Sequence, residues 1–294
     1  MIYEISHRTA YRYQTPVTQS QHLIHLAPRL FDHQVVHRHS LLVEPAPNSR
    51  SDSQDYFANP VSILEIDEEH IEFIMHARSV VEVKPRRPVV VETGMPWEQL
   101  RTAIMLPRNG IDLDAAQYAV PSPSTTTSKP VIDYVRPSFV KDRPALAAAW
   151  DLTCRIFDDF KFDASATDVS TPVDRVLSAR RGVCQDFAHL ALACLRAMGM
   201  PARYVSGYLL TRPAAGQPKL QGTDASHAWF ALWTPDTGWV DFDPTNKVIP
   251  ALEHIAFAIG REYRDIAPIT GVLLGGGEHT VDVAVDVVPV AAPK

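Results

Sequence analysis

From Tyr3 to Tyr13, apolar or aromatic positions alternate with polar ones. Tyr3, Ile5, His7, Thr9, Tyr11 and Tyr13 fall on one side, and Glu4, Ser6, Arg8 and Arg12 on the other. A period of two predicts a half-buried strand. Residues 35–44, 61–66 and 71–83 predict further strands, with Pro45, Pro47, Asn48, Asn59 and Pro60 marking the turns between them. Several short strands at this spacing predict a β-sandwich over residues 1–88, ended by Pro85, Arg86, Arg87 and Pro88.

The pattern then changes. Residues 97–105 predict a short helix, and 121–128 have loop chemistry. Asp142 and Pro144 read as a cap and first turn opening a helix through about 157, and Pro172 opens another over 172–180. Phe187, Leu190, Ala191, Cys194, Leu195 and Met198 recur as one helical face starting just after Cys184; Gly199 and Pro201 stop it. Strands follow at 203–209, 228–233 and 239–242, with a polar loop at 216–224, and a last alternating strand covers 281–290. Three helices followed by an antiparallel sheet make an α+β pattern. Residues 89–294 are therefore expected to form a second domain, with its core at about 142–250 and a strand extension over 251–294.

Composition narrows the partners. The chain has 294 residues, 46% hydrophobic and 21% charged, enough for a substantial core. A net charge of −6 without a basic run argues against nucleic acid, and no apolar run is long enough for a membrane helix. Met1-Ile2-Tyr3-Glu4-Ile5 lacks the basic and apolar regions of a secretory signal. Three cysteines without a pairing pattern point to free thiols in a reducing compartment, so the expected location is cytoplasmic.

Cys184 concentrates the chemistry. A thiol at a helix start faces unpaired N–H groups and the positive end of the macrodipole, which favour the nucleophilic thiolate. His227 and two acids, Asp241 and Asp243, follow in the order of a cysteine triad. Alternation sends Asp241 and Asp243 to one face, so periodicity does not choose between them. Cys154 and Cys194 read as structural cysteines. His189, five residues after Cys184, is not stacked on it and reads as a supporting residue. His22, His25, His33, His37 and His39 read as solvated histidines of the β region. No paired-ligand motif marks a metal site, and no cofactor is expected. Trp229, Trp233 and Trp239 read as core and groove wall.

Four segments carry a resemblance: Arg181 through His189, Pro201 through Tyr208, Ser226-His227-Ala228-Trp229, and Gly238 through Thr245. In this order they resemble the bacterial transglutaminase-like (transglutaminase/protease-like) family. Residues 1–85, including His7-Arg8-Thr9, resemble the β domain found ahead of that family's core; Gly260-Arg261-Glu262-Tyr263 and Gly275-Gly276-Gly277 resemble its tail. The resemblance implies a papain-like/transglutaminase core of helices packed on an antiparallel sheet, with Cys184 as nucleophile, His227 as base and acid, and Asp243, matched by Asp243-Pro244-Thr245, as the residue orienting the imidazole. It implies an acyl transfer through a thioester on a peptide or protein substrate, ending in hydrolysis or in transfer to an amine. The charges of Arg261, Glu262 and Asp265 suggest an open rim and hydrolysis. A non-catalytic binding scaffold is the rival reading, and the intact Cys-His-Asp set argues against it. Trp150 lies in a helix pattern and does not take the oxyanion role of the animal enzymes' indole. Phe162 stands where many bacterial relatives have tyrosine. The calcium sites of the animal enzymes have no counterpart.

Overall fold

A computed structural model describes residues 1–210 and 226–290; the expected loop at 216–224 lies outside them. The chain opens with β1 (Ile2–Ile24), β2 (Gln34–Glu44), β3 (Ser49–Gln54), β4 (Pro60–Ile66) and β5 (His70–Val83). Six helices follow: α1 (Trp97–Met105), α2 (Gly110–Ala116), α3 (Lys129–Val135), α4 (Ala145–Asp159), α5 (Val173–Ala179) and α6 (Cys184–Ala197). Two short strands, β6 (Lys161–Phe162) and β7 (Arg181–Gly182), interrupt them. The chain ends with β8 (Ala202–Leu209), β9 (Ser226–Thr234), β10 (Gly238–Phe242), β11 (His254–Gly260), β12 (Ile269–Gly275) and β13 (His279–Val290).

The N-terminal region is a sandwich whose two layers share β1. Residues 2–13 of β1 pair antiparallel with β5 on one side and β13 on the other. After a register irregularity between Arg12 and Val17, the rest of β1 pairs with β4 and β12. A bulge of this kind bends a strand and lets it pass from one layer to the next. Leu64, Ile66 and Ile24 from one layer form a common core with Val43, Phe73 and Met75 from the other. The same face of β5 continues through Val81 and Val83 into the core of the second region, together with Tyr3, Ile5, Val285 and Val287. The last two strands thus return to the first sheet, and residues 269–290 lie beside 2–24 instead of extending the second domain.

The second region is an antiparallel sheet in the order β10-β9-β8-β11. Phe187, Leu190, Ala191 and Leu195 of α6 cluster with Ala228, Phe230 and Leu232 on one face of it. Val205, Trp229, Ala231, Ala256 and Ile259 line the other face, against Phe31 and Phe57 of the sandwich. Helices on one face of an antiparallel sheet, beside a β sandwich, are the α+β architecture expected. The helix expected to begin at Asp142 starts at Ala145; Pro144 is its cap, and Asp142 has φ +60° outside it.

Strand β11 is an edge strand, and its free backbone is met by amide side chains of the sandwich. Gln34 donates through Nε2 to Ala256 O (2.6 Å) and accepts the Ala256 N–H at Oε1 (3.0 Å). Asn59 does the same at Ile259, at 2.7 and 2.9 Å. Each amide completes a two-bond bridge of the kind a neighbouring strand would supply, which covers an edge otherwise open to wrong pairing.

Strand β8 is met very closely by its neighbours β11 and β9 at Gly207. A Cβ there would lie 2.2 Å from Ile255 O and 2.6 Å from the Trp229 ring. Backbone cannot yield as a flexible side chain can, so Gly207→Ala is expected to destabilise the chain by about 3 kcal/mol. A urea titration measures this; a loss below about 0.5 kcal/mol would show that the strands separate freely.

Candidate active site

Cys184 is the first residue of α6, and extended Val183 is its cap. Asp186 in the first turn accepts the Val183 N–H (2.7 Å) and the Thr167 hydroxyl (2.6 Å). Its carboxylate fixes the entry of the chain into the helix and adds negative charge where the macrodipole welcomes it. Segment 161–163 braces the approach from outside: Phe162 pairs with Gly182, and Asp163 N–H donates to Gly182 O (2.9 Å). Gln185 Nε2 reaches Val169 O (3.2 Å), which ties the exposed, polar loop 163–171 to the helix start. The N–H groups of the first helical turn have no intrahelical acceptors, so they can face developing negative charge.

His227 lies on β9 opposite Gly207. Its Nε2–H donates to Asp243 Oδ2 at 2.8 Å, and Cys184 lies near enough to the ring to favour its charged form. With Nε2 committed to Asp243, Nδ1 is the ring nitrogen left to face Cys184. Burial alone would lower the imidazole pKa. The hydrogen bond to Asp243 and the neighbouring Cys184 outweigh burial and raise it from 6.5 to about 10. Asp243 is fully buried just past β10. Burial pushes its carboxyl pKa up, but bonds from His227 and His254 prevail and hold it well below the usual carboxylate range. Its Oδ1 accepts the N–H groups of Thr245 (2.9 Å) and Asn246 (3.2 Å), and Oδ2 also accepts Asn246 Nδ2 (2.7 Å). The structure thus brings together Cys184, His227 and Asp243, the three residues predicted from sequence. Such a set can take a proton from the sulfur and stabilise the resulting charge on the ring.

Asp241 is committed elsewhere. It binds Arg86 Nη1 at 2.6 Å. Burial would raise its pKa, yet Arg86 and Arg203 lower it. It lines a cleft of about 620 Å³ with Lys84, Arg86, Asp236 and Trp239, to which neither Cys184 nor His227 contributes. Arg203 lies over Trp239, 4.2 Å from the ring centroid, so Trp239 is a groove wall, whereas Trp229 and Trp233 are buried.

His189 supports the fold. Buried beside Tyr204, it accepts the Tyr263 N–H at Nε2 (3.1 Å), and burial lowers its pKa to about 3. The five histidines of the β region disperse, and not all are solvated. His22 is buried and stacked on Phe73 at 4.1 Å; His25 is buried against Asp55. His37 meets Glu82, and His39 meets Ser79. The tail charges do not form a free charged rim either: Arg261 pairs with Asp265 (3.1 Å), and buried Glu262 accepts the Ser124 N–H (2.7 Å).

His254 was not singled out from sequence. It is buried at the start of β11, with Nε2 3.0 Å from Asp243 Oδ2. A lone histidine ahead of an apolar strand carries no motif, and only the fold brings it to the carboxylate. Asn246 was missed for the same reason. The ligand atoms of His227, Asp243 and His254 lie within 4.8 Å of one another. A divalent ion could enter only by displacing the two ring protons now bonded to the carboxylate.

A helix-borne thiol, a strand-borne imidazole and a buried carboxylate on an α+β core define a transglutaminase-like class of protein. The chain belongs to the transglutaminase-like superfamily. Residues 3–82 match the model of the bacterial transglutaminase-like N-terminal region, and residues 133–244 match that of the superfamily core. An uncharacterized protein of Mycobacterium tuberculosis is 40% identical over 98% of this chain and 92% of its own length; one of Mycobacterium leprae is 33% identical over 98% of each. A protein-glutamine gamma-glutamyltransferase of Pseudomonas aeruginosa is 37% identical over 36% of this chain, but over 16% of its own length. The crystal structure of a candidate cysteine protease from Cytophaga hutchinsonii superposes with a TM-score of 0.77, at 21% identity, over 100% of this chain and 92% of that one. That likeness is one of fold. Members of the superfamily are generally enzymes, peptidases or transglutaminases.

Proposed function

We propose that the protein is a cysteine-dependent amide hydrolase, a peptidase or amidase acting on a peptide or protein. The observation that carries this reading is the His227–Asp243 hydrogen bond at 2.8 Å with Cys184 beside the same ring. Cys184 attacks the amide carbonyl, and the tetrahedral oxyanion is met by N–H groups of the first turn of α6. His227 gives its proton to the leaving amine, leaving a thioester on Cys184. Water, deprotonated by His227, then resolves the thioester and regenerates the thiol. Asp243 holds the ring with Nδ1 toward the sulfur and stabilises its charged form. Three unpaired cysteines suit a reducing compartment, and we place the protein in the cytoplasm on that ground.

Hydrolysis is favoured over amine transfer by the loop beside the thiol. Asp163, Ser165, Thr167, Asp168 and Ser170 make that border polar and open to water. The Pseudomonas relative named a glutamyltransferase supports the alternative, transfer from a glutamine side chain to an amine. Incubation with a glutamine-containing peptide library and a labelled primary amine separates the two. Cleaved or deamidated peptides should exceed amine adducts at millimolar amine, and Cys184→Ala should abolish both. An excess of Cys184-dependent adducts makes the protein a transferase.

A further inference from the structure

We propose that His254 is a positioning residue for the Cys184–His227–Asp243 chain, and that the N-terminal sandwich holds it in place. The proposal rests on the catalytic reading of that chain and adds to it a member from another strand.

Asp243 Oδ2 accepts three donors: His227 Nε2 at 2.8 Å, His254 Nε2 at 3.0 Å and Asn246 Nδ2 at 2.7 Å. Around a fully buried carboxylate, each donor takes a share of the charge. What His254 takes is withdrawn from His227. With fewer donors, the carboxylate would bind the imidazolium more tightly. His227 would then be a weaker acid toward the leaving amine, because efficient proton transfer needs an acid whose pKa lies near the working pH. His254 therefore moderates the pull of Asp243 while keeping the carboxylate ionised and fixed in direction. Among the described residues, the titratable groups that face this chain are His254 from β11 and buried Tyr204 from β8, which lies near Cys184; the other nearby acid, Asp241, is engaged with Arg86.

The sandwich fixes the position of His254 from both sides. Two residues before it, Leu252 O accepts the Tyr3 hydroxyl at 2.9 Å; two residues after it, Ala256 is bridged by the Gln34 amide. Glu253 O accepts the Leu210 N–H at 3.0 Å, which ties the same turn to the end of β8. The ring is thus carried on backbone anchored to a different sheet, and the N-terminal region acquires a part in the chemistry without touching substrate.

The test is the pH profile of Cys184 alkylation by iodoacetamide in the full chain, alongside steady-state turnover on any peptide the chain cleaves. His254→Leu removes the donor; His254→Gln keeps an N–H. With His254→Leu, the upper limb of the profile, where the imidazolium is lost, should move to higher pH by about half a unit or more. kcat should fall roughly tenfold, with KM little changed. His254→Gln should stay near the parent in both. A purely structural role would leave the profile in place and lower only the melting temperature, and that result overturns the proposal, as does His254→Gln behaving like His254→Leu. If the profile responds to His227→Ala but not to His254→Leu, this proposal fails and the catalytic reading survives; if it responds to neither, both fail. Should His254→Leu not fold, nitrogen NMR of the intact chain decides instead. The His254 ring is expected in the Nε2–H form, and an Nδ1–H ring overturns its bond to Asp243.

Discussion

Iodoacetamide at neutral pH is expected to modify Cys184 at least ~100-fold faster than Cys194, and His227→Ala to slow that reaction at least ~10-fold. The three thiols occupy different environments. Cys194 is fully buried on the apolar face of α6, and burial pushes its pKa far up, so it stays a thiol out of reach of reagent. Cys154 is half-buried on α4, and burial raises its pKa too. Cys184 is half-buried, begins a helix and lies beside an imidazole that Asp243 keeps charged. Without His227 the Cys184 sulfur loses the ring that takes its proton and keeps only the helix start. Turnover should suffer more, by about 10³-fold, since the same ring must also protonate the leaving amine and activate water. Peptide mapping by mass spectrometry over a time course measures labelling, and substrate cleavage measures turnover. Cys154 labelling as fast as Cys184, or His227→Ala leaving the Cys184 rate unchanged, would remove the thiolate–imidazolium pair from the mechanism.

What the sequence made legible follows how each feature is encoded. Cys184, His227 and Asp243 sit in short local motifs, each at the end or edge of a strongly periodic element, so they could be found one at a time. Choosing Asp243 over Asp241 required the motif, because alternation does put both on one face. The structure separates them by partner: Asp243 receives His227, whereas Asp241 receives Arg86 from the segment after the sandwich. Strand β3, Ser49–Gln54, is exposed and polar throughout and gave no apolar signal. Strand β1 outran its prediction because the irregularity between Val17 and Gln19 shifts the alternation: its buried positions are odd-numbered at Tyr3, Ile5, His7, Tyr13 and Val17, but even-numbered at Ser20, His22 and Ile24. Short α2 and α3 offer barely two turns each, too few for a period to declare itself. The return of β12 and β13 to the first sheet and the Gln34 and Asn59 bridges join residues far apart in the chain, and the His254–Asp243 bond joins two different elements. Periodicity is a local property and carries no information about them.

The stability of the chain is expected to depend on pH through the same pair. The folded pKa of His227 is raised, from 6.5 to about 10. Its contribution is therefore complete below about pH 6.5, where the unfolded ring also binds its proton, and is lost as pH rises through about 10. The folded pKa of Asp243 is depressed. Its contribution is complete above about pH 4 and is lost as pH falls through the lower folded value. Both contributions are full between about pH 4 and 6.5, and the alkaline side declines first on approach from neutrality. At about 1.4 kcal/mol per pH unit, the alkaline loss attributable to His227 amounts to a few kcal/mol, an upper bound because the ring and the carboxylate titrate as a pair. Urea midpoints of the parent and of His227→Gln, taken from pH 5 to pH 10, isolate it. Glutamine does not titrate, so the parent's advantage should be greatest near pH 6 and should shrink by about 2 kcal/mol or more by pH 10. A gap that stays constant across that range would mean that the His227–Asp243 bond does not hold a charged ring, and the imidazolium assigned to the acyl-transfer step would have to be abandoned with it.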